Sequence, residues 1–313
     1  MKNFDIVTFG SAVIDVFVHT DCHEKGKEMC YPVGGKLLIK KLMFDVGGGG
    51  TNTAVAFSRL GFKTGCITNV GNDENGRRIV ELLKKEKVDF LGKIDKKGMT
   101  GYSVILDSTG GERTILTYKG VNNDISFKDI SSKKFNTKWL YYSALLGKSF
   151  NTQKILAFRL LKKGTKIAFN PSSYIINNLD ISDLLKITYV IILNKEEAES
   201  LCKKYKKPCE NILEELHELG VKIVVVTDKD NPAICFDGIR KYSVKPHKNI
   251  RVVERTGAGD AFASGFIAGC LLGWPIKRCL ELGLKESESV IQFPGAKNNL
   301  IKMNIKRQHL NKI

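Results

Sequence analysis

The sequence predicts an α/β protein: a doubly wound, mainly parallel sheet flanked by helices, with a small discontinuous β-sheet beside it. Two observations carry this. From residue 52 onward, helical stretches alternate with short apolar runs, as a parallel sheet with crossover helices requires. Before that point, and again near residues 98–120, the apolar runs alternate with period two and no helix stands between them. At 313 residues the chain suits one large core, expected to span 1–313 with its small sheet drawn from about 12–46 and 98–120.

FDIVTFG is an apolar run ending in glycine, the pattern of a buried first strand. In SAVIDVFVHT, Val13, Asp15, Phe17 and His19 alternate with Ile14, Val16 and Val18. GGKLLIKKLMFDV follows after a polar stretch, and both segments read as strands of the small sheet. NTAVAFSRLG reads as a helix closing on Gly61, TGCITNV as a strand, and GRRIVELLKKEK as an amphipathic helix. TGYSVILD and RTILTYKG, separated by STGGE, read as a hairpin with a Gly-Gly turn that extends the small sheet. WLYYSALLG, KIAFNPSS, YVIILN and KIVVVTD are the later parallel strands, with helices between them. AFASGFIAGCLLG and KRCLELGLKESESVIQF are long helical stretches, the second broken at Pro294-Gly295.

The formal net charge is +17, yet lysines recur along most of the chain, as in LLKKEKVDFLGKIDKKG and LCKKYKKPC. There is no arginine-rich arm and no interleaved aromatic platform, so the surface is expected to attract anionic small substrates and no nucleic acid. Eight cysteines without CxxC pairs or ligand spacing read as reduced thiols. The first residues lack the order of a signal peptide, and no apolar run approaches the roughly 20 residues that span a bilayer. A cytoplasmic protein with no membrane contact is expected.

Two phosphate-binding patterns are excluded. Gly147-Lys148-Ser149 resembles the end of a P-loop, but Tyr142 stands where its first glycine belongs. Gly257-Ala258-Gly259 supplies GxG, but Phe262 replaces the third glycine of a dinucleotide fingerprint. TGAGD instead offers small residues whose amides converge at a helix start, where an anion is favoured. Asp260 then stands in the first helical turn, either as a base facing that anion or simply as a residue favoured by the helix dipole. The glycine cluster Gly47-Gly48-Gly49-Gly50-Thr51-Asn52 breaks the tie toward the base, because its glycines admit a ligand to the backbone and Asn52 presents both a donor and an acceptor, although four glycines by themselves read first as a flexible hinge. Asp15 can converge on the same polyol site.

On these motifs the chain resembles the ribokinase-like sugar kinases of the PfkB family. GGGGTNTA with Gly61 and Gly71 matches the N-terminal signature, TGAGDAFASGF the C-terminal one, and Asn194-Lys195-Glu196-Glu197 the Asn-x-x-Glu motif between them. The resemblance implies that Asp260 deprotonates the acceptor hydroxyl and that Gly257, Ala258 and Gly259 form an anion hole. It implies that Asp15, Gly48, Gly49 and Asn52 hold sugar hydroxyls. Asn194 and Glu197 would organise Mg²⁺, largely through water, and contact ATP, with Thr227 near the nucleotide. From residues alone, NKEEAES also reads as a capped helix start.

Two departures stand out. Asp228-Lys229-Asp230 follows Thr227 where the family usually has a glycine, and Glu254-Arg255-Thr256 replaces Asp-Thr-Thr. In potassium-activated members that acidic position helps hold K⁺, and Glu254, Thr256 and Gly295 match such a site here. The family's lid matches the small sheet, and Val16, Val18, Leu38 and Met43 would supply either a lid face or the seam of a homodimer.

The function implied is ATP-dependent phosphorylation of a hydroxymethyl group on a ribose- or fructose-like sugar. A nucleoside kinase would need an apolar slot, to which Phe17 and Tyr102 could contribute. A sugar-phosphate kinase would need a second anion site, with Lys36, Arg113 or Lys119 near the small sheet. A non-catalytic sugar or nucleotide sensor stands in a different class, and the joint presence of Asp260, the Gly-Ala-Gly turn, Asn194 and Glu197 argues against it.

Overall fold

The computed structural model describes residues 2–22, 24–26, 28–108, 113–131 and 134–304. The chain begins with β1 (Lys2–Phe9), crosses into β2 (Val13–His19), passes the two-residue strands β3 (Glu24–Lys25) and β4 (Glu28–Met29), and returns along β5 (Lys41–Gly47) into α1 (Gly49–Arg59). Next come β6 (Thr64–Ile67), β7 (Asn69–Gly71), α2 (Glu74–Lys85), β8 (Asp89–Phe90) and β9 (Lys93–Asp95). The hairpin strands β10 (Gly101–Asp107) and β11 (Arg113–Tyr118) follow, then a 3₁₀ turn (Gly120–Asn123), α3 (Phe127–Ser131) and β12 (Phe135–Ser143). The Gly-Gly turn read between the hairpin strands lies outside the described residues.

The α/β alternation continues through α4 (Gly147–Leu161), β13 (Lys166–Asn170), α5 (Ser173–Asn178), α6 (Ser182–Ile187), β14 (Val190–Asn194), α7 (Lys195–Lys204), α8 (Ile212–Glu218) and β15 (Ile223–Asp228). Then follow β16 (Asn231–Phe236), β17 (Lys241–Val244), α9 (Ala258–Leu271) and α10 (Ile276–Val290).

The expected doubly wound sheet is present. Nine strands run in the order β17-β16-β15-β14-β13-β12-β1-β6-β8, parallel except at one edge, where β16 and β17 pair antiparallel. Strand neighbours Tyr141 and Tyr142 point to opposite faces and into two separate cores. One holds Phe57, Phe266, Leu280 and Tyr141 with α1, α9 and α10; the other holds Phe9, Leu156, Leu201 and Tyr142 with α4 to α8. α9 is nearly buried all round, which its small residues permit: a Cβ on Gly265 would stand 2.6 Å from the Leu282 carbonyl oxygen of α10.

The second sheet has the order β11-β10-β2-β5. The strand expected from GGKLLIKKLMFDV begins only at Lys41, and Leu37, Leu38 and Ile39 before it are exposed and outside regular structure. Apolar residues alone do not hold an edge there without a partner face. Val16 is buried and Val18 packs beside it over α2, so these two do not form a free outer face; the exposed large apolar side chains of the sheet are Leu42, Phe44, Ile115, Leu116 and Tyr118.

Candidate active site

α9 starts from Gly257, whose φ is 79° and whose Cβ, were there one, would stand 2.4 Å from Ala296 Cβ. Glycine is therefore required there by backbone and by space. Ala258 N donates to the Arg255 carbonyl at 3.2 Å, whereas the next amides of the first turn, at Gly259 and Asp260, have no backbone partner among the described residues; Ala258 and Gly259 open onto a cleft of about 1020 Å³. Asp260 stands in this first turn but makes no cap; its Oδ2 accepts a hydrogen bond from Asn52 Nδ2 at 2.8 Å. The two distant glycine motifs thus meet.

Asn52 lies in α1, which enters from Gly48 at φ 95°. The start of α1 crosses the end of β1 closely, since a Cβ on Gly50 would lie 2.6 Å from the Gly10 carbonyl oxygen. A Cβ on Gly49 would lie 2.8 Å from Ser143 Oγ and 3.4 Å from Asp260 Oδ1, so Oδ1 is turned toward Gly49 and Ser143. Asn52 Oδ1 accepts from Lys297 Nζ, which also donates to the Val46 carbonyl. Lys297 is only 4% exposed and is drawn down to about 8 by burial, against the pull of Asp45, Asp15 and Asp260. Burial raises the Asp260 carboxyl above its ordinary value, with the Asn52 hydrogen bond and Lys297 opposing.

On β2, Asp15 sits in register between Asp45 of β5 and Ser103 of β10. It is buried against Gly47, and burial raises its carboxyl while Lys297 and Ser103 oppose. Phe17 and Ile105 are the next pair on the same face, both buried. Tyr102 packs with Val18 on the opposite face and contributes no slot beside Asp15.

The cleft that ends at Gly259 also takes in Asn194, Glu196, Thr227, Asp228, His247 and Arg113. Asn194 and Glu197 form a reciprocal capping box: Asn194 Oδ1 accepts from Glu197 N at 2.8 Å, and Glu197 Oε2 accepts from Asn194 N at 3.0 Å. The capped helix start read from NKEE is present; it brings Asn194 to the cleft, whereas Glu197 is not among the residues that line it. Burial raises the Glu197 carboxyl. The loop that replaces the family's glycine is tied by ion pairs to its neighbours: Asp228 to Lys195 at 3.5 Å and Lys229 to Glu196 at 3.6 Å, both at the start of α7, and Asp230 to Arg255 before α9 at 2.9 Å.

A model described as pfkB family carbohydrate kinase matches residues 3–303. The chain belongs to the PfkB family of carbohydrate kinases. It is a phosphotransferase with an alcohol group as acceptor, of a family that uses ATP. This PfkB kinase is 32% identical over 256 residues to an uncharacterised sugar kinase of Archaeoglobus fulgidus, covering 79% of this chain and 98% of that one. It is 26% identical to a cytidine kinase of Thermococcus kodakarensis, covering 93% and 97%. In three dimensions it superposes on a ribokinase of Thermotoga maritima with a TM-score of 0.80 at 21% identity, covering 98% of each chain, which speaks for the fold. Among the described residues no helix is long and apolar enough to cross a membrane.

In this PfkB kinase the structure brings Asp260, Asn52, Gly48, Gly49 and Asp15 together on one side of the α9 start, and Thr227, Asn194, Ala258 and Gly259 on the other. Glu254, Thr256 and Gly295 also meet, but around a guanidinium. Arg113 Nη1 donates to Glu254 Oε1 and Thr256 Oγ1, and Gly295 N donates to Glu254 Oε2. With its carboxylate so engaged, this donor set does not fit a second cation such as K⁺. Lys297 and Tyr141 escaped the sequence reading. Lys297 directly follows Pro294-Gly295-Ala296 in an irregular turn, so no periodicity marks it. Tyr141 reads as strand core, yet its buried hydroxyl has no partner among the described residues; burial, helped by the charges of Asp260 and Glu197, keeps its proton on.

Proposed function

We propose that this kinase transfers the ATP γ-phosphoryl group to a hydroxymethyl group of a small ribose- or fructose-like sugar, with Asp260 as general base. The observation that carries this is the 2.8 Å bond from Asn52 to Asp260 Oδ2, which leaves Oδ1 facing the Gly49 side where an acceptor would lie. Oδ1 takes the hydroxyl proton as the acceptor oxygen bonds to phosphorus and the bond to the ADP oxygen breaks. The amides of the Gly257-Ala258-Gly259 turn, Ala258 N after release from the Arg255 carbonyl, then stabilise charge on the moving phosphoryl group. Asp15 and the second N–H of Asn52 hold the other hydroxyls.

A hydrated Mg²⁺ would be held through water by Glu197 and Asn194 at the start of α7, where it would shield the phosphates; the buried Tyr141 hydroxyl, which has no partner among the described residues, is an orphaned polar group that feels the charge of Glu197. The small sheet acts as a lid that excludes water from the transfer. Pairing of two copies through it would cover Leu42, Phe44, Leu116 and Tyr118; a monomer in sedimentation equilibrium excludes that.

A nucleoside acceptor is a second reading, favoured by buried Phe17 and Ile105 beside Asp15 and by the cytidine kinase relative. A sugar phosphate would have to rely on Lys119, which feels the charge of Asp15, because Arg113 is already bound to Glu254. The test is MgATP turnover with D-ribose, D-fructose, fructose 6-phosphate, adenosine and cytidine, in the wild type and in Asp260→Asn. The variant is expected to lose at least about 10²- to 10⁴-fold in kcat while still binding the acceptor. Near-normal turnover in it sinks the assignment of the base.

A further inference from the structure

We infer that Lys297 is a positioning residue for Asp260: its ammonium fixes the Asn52 amide so that the N–H side faces Asp260 Oδ2 and Oδ1 stays free for the acceptor. This rests on the reading of Asp260 as the base.

An asparagine amide can be turned either way, with its oxygen or its nitrogen toward a given neighbour. An ammonium only donates, so its partner on Asn52 must be Oδ1. That leaves the nitrogen for Asp260, 2.8 Å away. In the reversed amide two acceptors would stand at that distance, and the carboxylate would turn to relieve the clash. The second Lys297 bond, to the Val46 carbonyl, anchors the ammonium to the end of β5. The Lys297 backbone is anchored too: Arg59 Nη1 donates to its carbonyl oxygen at 2.6 Å, and that guanidinium is itself paired with Glu86.

One ammonium thus joins the small sheet, α1 and, through Asn52, the base on α9. The charged groups that act on it are Asp45 and Asp15 from the small sheet, Asp260 from α9 and Arg59 from α1. Asn52 has consequently only one N–H left for a ligand, fewer contacts than the resemblance alone implies.

Lys297→Met keeps much of the side chain's length and removes the donor. With the best acceptor of the sugar and nucleoside panel, kcat is expected to fall about 10- to 100-fold, with KM for the acceptor within about threefold. The acidic limb of the kcat profile is expected to move to higher pH, as Asp260 loses the Lys297 charge and the fixed orientation of the Asn52 amide. Because Lys297 acts through Asn52, the double variant Lys297→Met/Asn52→Ala should be no slower than Asn52→Ala alone.

Multiplying losses in the double variant, or an unchanged kcat in Lys297→Met, overturn the inference. If Lys297→Met does not fold, Lys297→Arg retains a donor-only head group. Its acidic limb should stay at the wild-type position, and a limb displaced as far as that of Asn52→Ala overturns the inference. Asp260→Asn in the same assay separates the two levels: turnover retained there defeats the base itself, whereas its loss beside a fully active Lys297→Met defeats only the positioning role.

Discussion

Arg113, the first residue of β11, donates to Glu254 Oε1 at 3.2 Å and ties the small sheet to the loop that leads into α9. The same carboxylate holds the Gly295 amide at 3.0 Å. A guanidinium therefore supplies the positive charge at the position where potassium-activated relatives are expected to bind a cation. KCl, compared with choline chloride at equal ionic strength, should leave kcat unchanged in the wild type. Arg113→Met strands the Glu254 charge and loosens the sheet from the loop, so kcat/KM should fall about 10- to 100-fold. Potassium is expected to restore part of that loss in the variant. Strong activation of the wild type by potassium would show that the guanidinium does not take the cation's place.

Glu286 on α10 is wholly buried; Oε2 accepts from the Ile301 amide at 2.9 Å, and Oε1 has no partner. Burial pushes its carboxyl from 4.5 up to about 7, with Arg59 and the Ile301 amide opposing. Between these two values the folded protein keeps a proton that the unfolded chain has released. Stability therefore falls as pH rises through that window, and the loss persists above it. The size is on the order of 3 kcal/mol. Glu286→Gln never titrates, so its Tm should exceed the wild-type Tm by several degrees at about pH 8 and match it at about pH 5. A gap between the two proteins that does not change with pH counts against this account.

The parts of the site legible in the sequence are those written in local backbone chemistry. Gly257 and Asp260 announce a turn and a helix start within four residues, and Asn194 with Glu197 spells a capping box at the required spacing. Gly48 and Asn52 do the same for α1. The chemistry between elements is another matter. Lys297 meets Asn52 across 245 positions, and Arg113 meets Glu254 across 141, from turns and strand ends where periodicity carries no signal. The fold divides the same way. The parallel strands are continuous apolar runs, whereas β16 carries Pro232 and β17 is the four residues KYSV, so neither presents an apolar run in the sequence.

Gly257→Ala isolates the turn that presents the anion hole. Alanine at φ 79° is strained by about 1–2 kcal/mol, and its methyl group would meet Ala296 at 2.4 Å. The turn must shift, and with it the amides of the first turn of α9 and Asp260, three residues on. Tm should drop by a few degrees and kcat by about 10²-fold or more, since displaced anion-hole donors lose their aim at the developing charge. Gly259→Ala is the matched control, because nothing lies within 4 Å of the added methyl. It should keep the wild-type Tm while the methyl group, projecting into the cleft, raises KM for ATP. A Gly257→Ala protein with wild-type Tm and kcat would mean that the left-handed turn sets neither the position of the base nor the anion hole.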